Sequence, residues 1–274
     1  MNPVTLIEGA LIGDIPPTPI TPLTKLDEIK QATDLLVKFS RHYGIPTGYK
    51  QEQNGRLVQS ICPNPRTEFS QISSSSKIDL QLHTETAFHP FKPSHLLLMC
   101  LRGDSKAFTT YAIVEDIVAG LDDWTISQLC RNAYITSVDD SFRQNGEPDQ
   151  VITMPILKIT EDGFEMCFDE FLMRGIDDDA EVALINLKTE IPNHIQQIAL
   201  KTADVLVLDN RKTIHGRKSF QPRYDGTDRW LLRTLVVDRC PPTSQQIFDE
   251  HMIITTDFSE EVFFNQHPYN WGRK

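Results

Sequence analysis

The chain has 274 residues, 39% of them hydrophobic, 24% charged and 8% aromatic, which is the composition of a folded globular protein and not of a fibrous or disordered one. With 27 Lys and Arg against 38 Asp and Glu, the net charge of −11 excludes the basic footprint needed for sequence-independent binding to nucleic acid or anionic membranes. Apolar runs such as 96–101 are too short to span a bilayer, residues 1–5 lack the start of a signal peptide, and the five scattered cysteines at 62, 100, 130, 167 and 240 contain no CxxC, so free thiols in a reducing cytoplasm are expected.

A strand is expected at Val4–Ile7, reaching toward Ile12, before the proline-rich turn 16–19. Ile29, Ala32, Leu35, Leu36, Phe39 and Tyr43 recur at helical spacing and predict a helix over about 26–43, with Thr24 as its cap and Gly44 as its stop. Four serines at 73–76 read as a small polar loop. Strands are expected at 78–85 and 95–101 and a helix at 115–130. Residues 151–160 and 163–168 read as strands joined by a turn at 161–163. A helix follows over about 177–197, with acidic residues in its first turn that complement the dipole and Pro192 to kink or break it. Strands at Val205–Asp209 and 229–237 complete the pattern. Strands with inserted helices, no βαβ alternation and no glycine-rich phosphate loop indicate a mostly antiparallel α+β protein, not a doubly wound nucleotide fold.

The most informative residues are His83-Thr84-Glu85. On a strand, residues i and i+2 share a face, so His83 and Glu85 can reach one metal ion while Thr84 points away. One more histidine would complete two His and one carboxylate with open positions, a set suited to non-haem Fe(II) and O2 chemistry. His215 is the best third ligand. It follows Val205–Asp209 and a turn over 210–214, which places it at the mouth of the sheet, and Gly216 gives the backbone freedom beside a ligand. His89 and His95 flank the 91–93 turn, and His42, His194, His251 and His267 have no partner at ligand spacing.

Arg229 and Arg233 are four apart on a predicted strand. They therefore face the same side, roughly 13 Å apart at about 3.3 Å per residue. Two inward guanidinium groups beside a metal suggest a site for two carboxylates. The competing reading pairs them at the surface with Asp225 and Asp228.

With these residues in place, the chain resembles the clavaminate synthase-like Fe(II)/2-oxoglutarate-dependent oxygenases of the taurine dioxygenase superfamily, a group that includes arginine and asparagine hydroxylases. The resemblance runs from Ile12-Gly-Asp-Ile-Pro-Pro-Thr-Pro to Val237. It rests on Gly55-Arg-Leu-Val-Gln, the serine loop 73–76, Leu82-His-Thr-Glu-Thr-Ala-Phe-His-Pro, Leu98-Met-Cys-Leu-Arg and above all on the run 209–233.

The resemblance implies a double-stranded β-helix (jelly roll) with helical insertions, forming a single oxygenase domain over 1–274 with a short N-terminal segment of about fifteen residues before the Pro-Pro-Thr-Pro turn. It implies that His83, Glu85 and His215 hold Fe(II), and that Arg229, assisted by Thr110 or by Thr109, binds the far carboxylate of 2-oxoglutarate. Arg233 matches the residue that holds a substrate carboxylate. Glu85, Gln59, Ser73 and Ser74 match contacts to the amino-acid head, and Asp169 matches a contact to a polar substrate side chain. Cys167 stands where arginine hydroxylases carry a second acid.

The reaction implied is hydroxylation of a free polar or basic L-amino acid, or a close derivative, at an unactivated carbon. O2 and 2-oxoglutarate are consumed, and succinate and CO2 released. A carboxylate at position 85 argues against halogenation. Desaturation, epoxidation, cyclisation or action on a carrier-tethered amino acid share the same site. A non-catalytic small-molecule-binding jelly roll predicts a broken triad, and a hydrolytic zinc enzyme leaves the arginine pair unexplained. A small-molecule partner is expected, with no nucleic acid and no membrane, and the sequence leaves the oligomeric state open.

Overall fold

A computed structural model of the chain describes residues 2–22, 26–89, 91–138, 142, 151–239 and 253–254. In chain order its elements are β1 (Val4–Ile7), α1 (Lys30–Ser40), β2 (Ile45–Tyr49), β3 (Val58–Ile61), β4 (Leu80–His83), β5 (His95–Arg102), β6 (Thr109–Ile113), α2 (Val114–Ala119) and α3 (Asp123–Leu129). They continue with β7 (Tyr134–Ser137), β8 (Val151–Met154), β9 (Leu157–Thr160), β10 (Gly163–Met166), β11 (Arg174–Gly175), α4 (Asp178–Glu190), β12 (Gln196–Ile198), β13 (Val205–Asp209), β14 (Thr213–Arg217), β15 (Trp230–Val237) and β16 (Ile253–Ile254).

The larger sheet runs β1-β13-β5-β15-β2-β16, with β3 also paired to β15. All its ladders are antiparallel except the parallel pair β16–β2. Its central strands are apolar at nearly every position because both faces are covered. Leu96, Leu98 and Cys100 of β5, Leu206 and Leu208 of β13, and Leu231 and Leu235 of β15 belong to the main core, with Leu82, Ala112 and Ile214 of the smaller sheet and Ile117 and Leu187 of the helices. The alternate residues Leu97, Met99, Val205, Val207, Leu232 and Val236 pack instead with Ala32 and Leu36 of α1. This period of two puts Leu231, Arg233 and Leu235 on the same face of β15. The smaller sheet runs β12-β6-β14-β4.

Several expected boundaries move, each for a local reason. The first strand stops at Ile7 and does not reach Ile12. The first helix is a 3-10 turn at Asp27–Ile29 followed by α1, which ends at Ser40. Gly44 is therefore not the helix stop but the residue before β2, with φ +144° and space too tight for a Cβ, which would lie 2.4 Å from the Val237 carbonyl. Thr24 lies outside the described residues. The expected helix 115–130 divides into α2 and α3 because Asp122 caps a new start, its Oδ1 accepting from Thr125 N at 2.8 Å. The helix over 177–197 ends at Glu190, and Pro192 sits in the 3-10 turn Ile191–His194 that follows. The strand at 151–160 divides around Pro155, and the hairpin β9–β10 turns at 161–163 as expected. The strand at 78–85 shrinks to β4, which leaves Glu85 beyond its end. Among the described residues, no helix is long and apolar enough to cross a membrane.

Candidate metal centre

His83 is the last residue of β4 and lies opposite His215 in the β14–β4 ladder. Their rings stand 4.5 Å apart, centroid to centroid. His215 is therefore a buried mid-strand residue rather than one at the mouth of the sheet, because the turn after β13 is short and a further strand, β14, begins at Thr213. Glu85 does not share a strand face with His83, as the i, i+2 argument assumed. The chain turns after the strand, and Thr86 takes φ +50°. The turn nevertheless brings Glu85 to both histidines. One ligand atom from each of His83, Glu85 and His215 lies within 4.8 Å of the others, and among the described residues this is the only such group.

The protonation states suit a cation. His83 Nδ1 lies 2.8 Å from the Gln81 carbonyl, a contact in which Nδ1–H donates, so that in a neutral ring the lone pair sits on Nε2. Burial, reinforced by His83, lowers the His215 pKa to about 4 against the pull of Glu85, so its imidazole is neutral at pH 7. Burial alone would raise the Glu85 pKa, but Arg233, His215 and His83 outweigh it and hold the carboxyl well below the usual range. Glu85 Oε1 accepts from Arg233 Nη1 at 2.8 Å. Oε2 lies 3.5 Å from His215 Nε2 and is buried with no hydrogen-bond partner among the described residues. Such an orphaned anionic oxygen between two imidazoles is what a bound divalent cation would satisfy, and two His with one carboxylate is the donor set of a ferrous centre.

The site opens into a cavity between the sheets, lined by Leu96, Leu98, Leu231 and Arg233 on one side and by His83, Thr109, His215 and Arg217 on the other. Neither buried arginine pairs with Asp225 or Asp228. Asp228 instead accepts from the backbone N–H groups of Arg223 and Tyr224. Arg229 donates from Nη2 to Thr109 Oγ1 at 2.9 Å and makes no ion pair among the described residues. Burial lowers its pKa to about 10. Of the two expected threonines, Thr109 is the one beside Arg229, whereas alternation along β6 turns Thr110 to the other face, opposite Gly216. Gly216 itself is needed for a close approach of strands: a Cβ there would lie 2.4 Å from the Leu80 carbonyl.

Arg233 sits between two buried carboxylates, Glu85 and Glu52, and its Nε donates to Gln59 Oε1 at 2.8 Å. Gln59 in turn donates to Glu52 Oε2 at 3.0 Å, so it braces the arginine from behind. Ser73 lines the cavity, whereas the Ser74 hydroxyl is engaged with Thr67 Oγ1 at 3.0 Å. Asp169 also lines the cavity, with Oδ1 accepting from Phe171 N and Leu172 N and so shaping a turn at the rim. Cys167 is buried against the Ala87 carbonyl at 3.2 Å. Arg217 lies near Arg229 and ties the serine loop to β14 through Ser75 Oγ at 2.8 Å. Burial, with Arg229 adding to it, lowers its pKa to about 9.

No protein-family model matches the chain. It is 32% identical over 238 residues to the L-lysine 3-hydroxylase of Catenulispora acidiphila, covering 85% of this chain and 66% of that protein. It is 32% identical over 225 residues to the L-asparagine oxygenase of Streptomyces coelicolor, covering 81% and 67%. The chain thus spans about two thirds of the length of these curated relatives. The crystal structure of an asparagine oxygenase with Fe(II), (2S,3S)-3-hydroxyasparagine and succinate superposes with a TM-score of 0.78 at 30% identity, covering 86% of this chain and 75% of that one. This chain belongs to the clavaminate synthase-like Fe(II)/2-oxoglutarate-dependent oxygenases.

Two residues of this oxygenase carry no signal in the sequence. Glu52 lies in a polar run, Lys50 to Asn54, where it is indistinguishable from a surface acid. Asn210 sits in a tight turn where asparagine is common. Both are buried, and only the packing reveals them.

Proposed function

We propose that this oxygenase hydroxylates a free L-amino acid with a polar or basic side chain, consuming O2 and 2-oxoglutarate and releasing succinate and CO2. The observation that carries this reading is a buried His83–Glu85–His215 group beside Arg229, a buried guanidinium that makes no ion pair among the described residues. In this reading the three ligands hold Fe(II), which when bound supplies the O2 activation that no side chain can. Arg229 and Thr109 hold the far carboxylate of 2-oxoglutarate, since a buried cation with no direct ion pair among the described residues is stabilised most by a bidentate anion.

Arg233 holds the substrate carboxylate, with Glu52 and Glu85 beside it to receive the ammonium group. A zwitterionic head matches this alternation of charges, whereas a carrier-bound thioester has no carboxylate to offer Arg233. Gln71, Ser73 and Asp169 at the rim then meet the polar end of the substrate side chain. The protein's main contribution is orientation: fixed at both ends, the substrate presents one C–H bond to the metal side of the cavity. We read the two sheets as the walls of a double-stranded β-helix forming one domain over 1–274. We place the enzyme in the cytoplasm, where Cys62, Cys100, Cys130 and Cys167, all free, stay reduced.

The test is Fe(II)-dependent conversion of 2-oxoglutarate to succinate, followed by NMR while free amino acids are screened by mass spectrometry for one added oxygen atom. Lysine and asparagine come first, as the substrates named for the relatives. A product lacking two hydrogens would point to desaturation instead. Turnover in metal-free protein, or undiminished turnover in His83→Ala, would sink the proposal.

A further inference from the structure

We infer that Asn210 is a positioning residue of the metal centre, whose side-chain amide sets where Glu85 stands relative to His215. The inference rests on the reading of His83, Glu85 and His215 as metal ligands. Because β4 ends at His83, no strand ladder among the described residues holds the Glu85 backbone. Asn210 takes over that role. Its Oδ1 accepts from Glu85 N at 2.8 Å, and its Nδ2 donates to the Glu85 carbonyl at 3.1 Å. One side chain thus engages both peptide groups of one residue, as a neighbouring strand would.

The amide is itself held in place. Nδ2 also donates to the Pro93 carbonyl at 2.9 Å, and Asn210 N donates to the Ser94 carbonyl at 2.9 Å. The residue is 1% exposed, so water does not compete for these bonds. On the other side of the chain, Thr84 N donates to the Phe168 carbonyl at 2.7 Å. The ligand-bearing segment is therefore gripped from both sides.

The grip has something to resist. Thr86, immediately after Glu85, is β-branched and adopts φ +50°, a conformation costly for such residues and maintained only where the surroundings over-determine it. Asn210 also lies in the turn from β13 to β14, and β14 carries His215. Its amide therefore links the backbone of the carboxylate ligand directly to the strand of the distal histidine. No other side chain of this size offers both a donor and an acceptor in one plane: aspartate lacks the donor, and glutamine is one methylene too long for the turn.

The experiment uses the full chain and Co(II), whose visible bands report ligand number and geometry, in anaerobic titrations with Fe(II) alongside. Asn210→Ala should weaken Co(II) binding about ten- to a hundredfold, the range typical of supporting residues around a metal, and should alter the visible spectrum. Thr86→Gly in the same background should restore much of the affinity, because glycine tolerates the turn without the clamp. A role confined to hairpin stability would lower the melting temperature of the metal-free protein, leave affinity and spectrum unchanged and gain nothing from glycine at 86, and that result overturns the inference. If Asn210→Ala does not fold, Asn210→Ser, whose hydroxyl can serve only one of the two Glu85 groups, should bind more weakly than wild type, and equal binding overturns the inference. Wild-type protein that fails to bind Co(II) or Fe(II) overturns the metal reading itself, and that failure is seen before any substitution is made.

Discussion

Arg229→Gln separates function from stability at a single position. The guanidinium is buried, and burial lowers its pKa to about 10. At about 1.4 kcal/mol per tenfold change in proton affinity, the buried charge costs the folded protein about 3 kcal/mol. The sign follows from the direction: a cation whose pKa is lower in the folded state is held less favourably there than in the unfolded chain, at every pH below about 10. Glutamine keeps a polar contact for Thr109 and removes the charge. The metal-free variant should therefore melt no lower than wild type, with an upper limit on the gain of about 6 °C at roughly 2 °C per kcal/mol. In the proposed reading, the same substitution leaves the far carboxylate of 2-oxoglutarate without its counter-charge. Truncating one member of a buried charged pair costs about 2–5 kcal/mol, so 2-oxoglutarate should bind at least about thirtyfold more weakly to metal-loaded protein in calorimetric titration. An affinity within threefold of wild type, or a melting temperature well below it, would refute the reasoning that this arginine is kept for an anion.

Arg233→Ala has the opposite signature. It leaves Glu52 and Glu85 as neighbouring buried carboxylates without a cation, so the metal-free protein should lose about 3–5 kcal/mol in urea denaturation, and an unchanged midpoint would count against the ion-pair network. Gly216→Ala places a methyl 2.4 Å from the Leu80 carbonyl and must push β14 away from β4. A stability loss of about 1–3 kcal/mol should accompany weaker Co(II) binding as His215 moves from His83, and normal binding would show that the strands have room. The His89 pKa is driven well below the ordinary value by burial, with Lys92 adding to it. Below about pH 6.5 the unfolded chain takes up a proton that the folded chain refuses, so stability should fall between pH 7 and pH 5. His89→Gln should flatten that fall, and an identical pH dependence in the variant would exclude His89 as a source.

Much of this oxygenase could be read along the chain. Val205–Asp209 is a strand with the expected bounds, because its apolar run 205–208 needs only burial on both faces to settle its conformation. Arg229 and Arg233 both line the cavity, although Arg229 lies just before β15 and a register irregularity follows Trp230, so strand alternation alone does not account for their meeting. The side chains able to bind a cation are likewise written in the sequence, since ligand chemistry belongs to the residue and not to its neighbours. Local signals failed where two structures compete over a few residues. Asp122 and Gly120 broke one expected helix into two, and the strand carrying His83 ended two residues before Glu85.

What only the tertiary structure decided is proximity. His83 and His215 are distant in sequence and meet through the register of β14 against β4. Thr109 rather than Thr110 faces Arg229 because the phase of β6 is set by its pairing with β14. Glu52 becomes a counter-charge, and Asn210 a bracket, only when loops far apart in the chain are packed against them. Periodicity and side-chain chemistry are local and legible from the chain, whereas register, burial and the partner of each polar atom arise from contacts between distant segments, which no single stretch of sequence encodes.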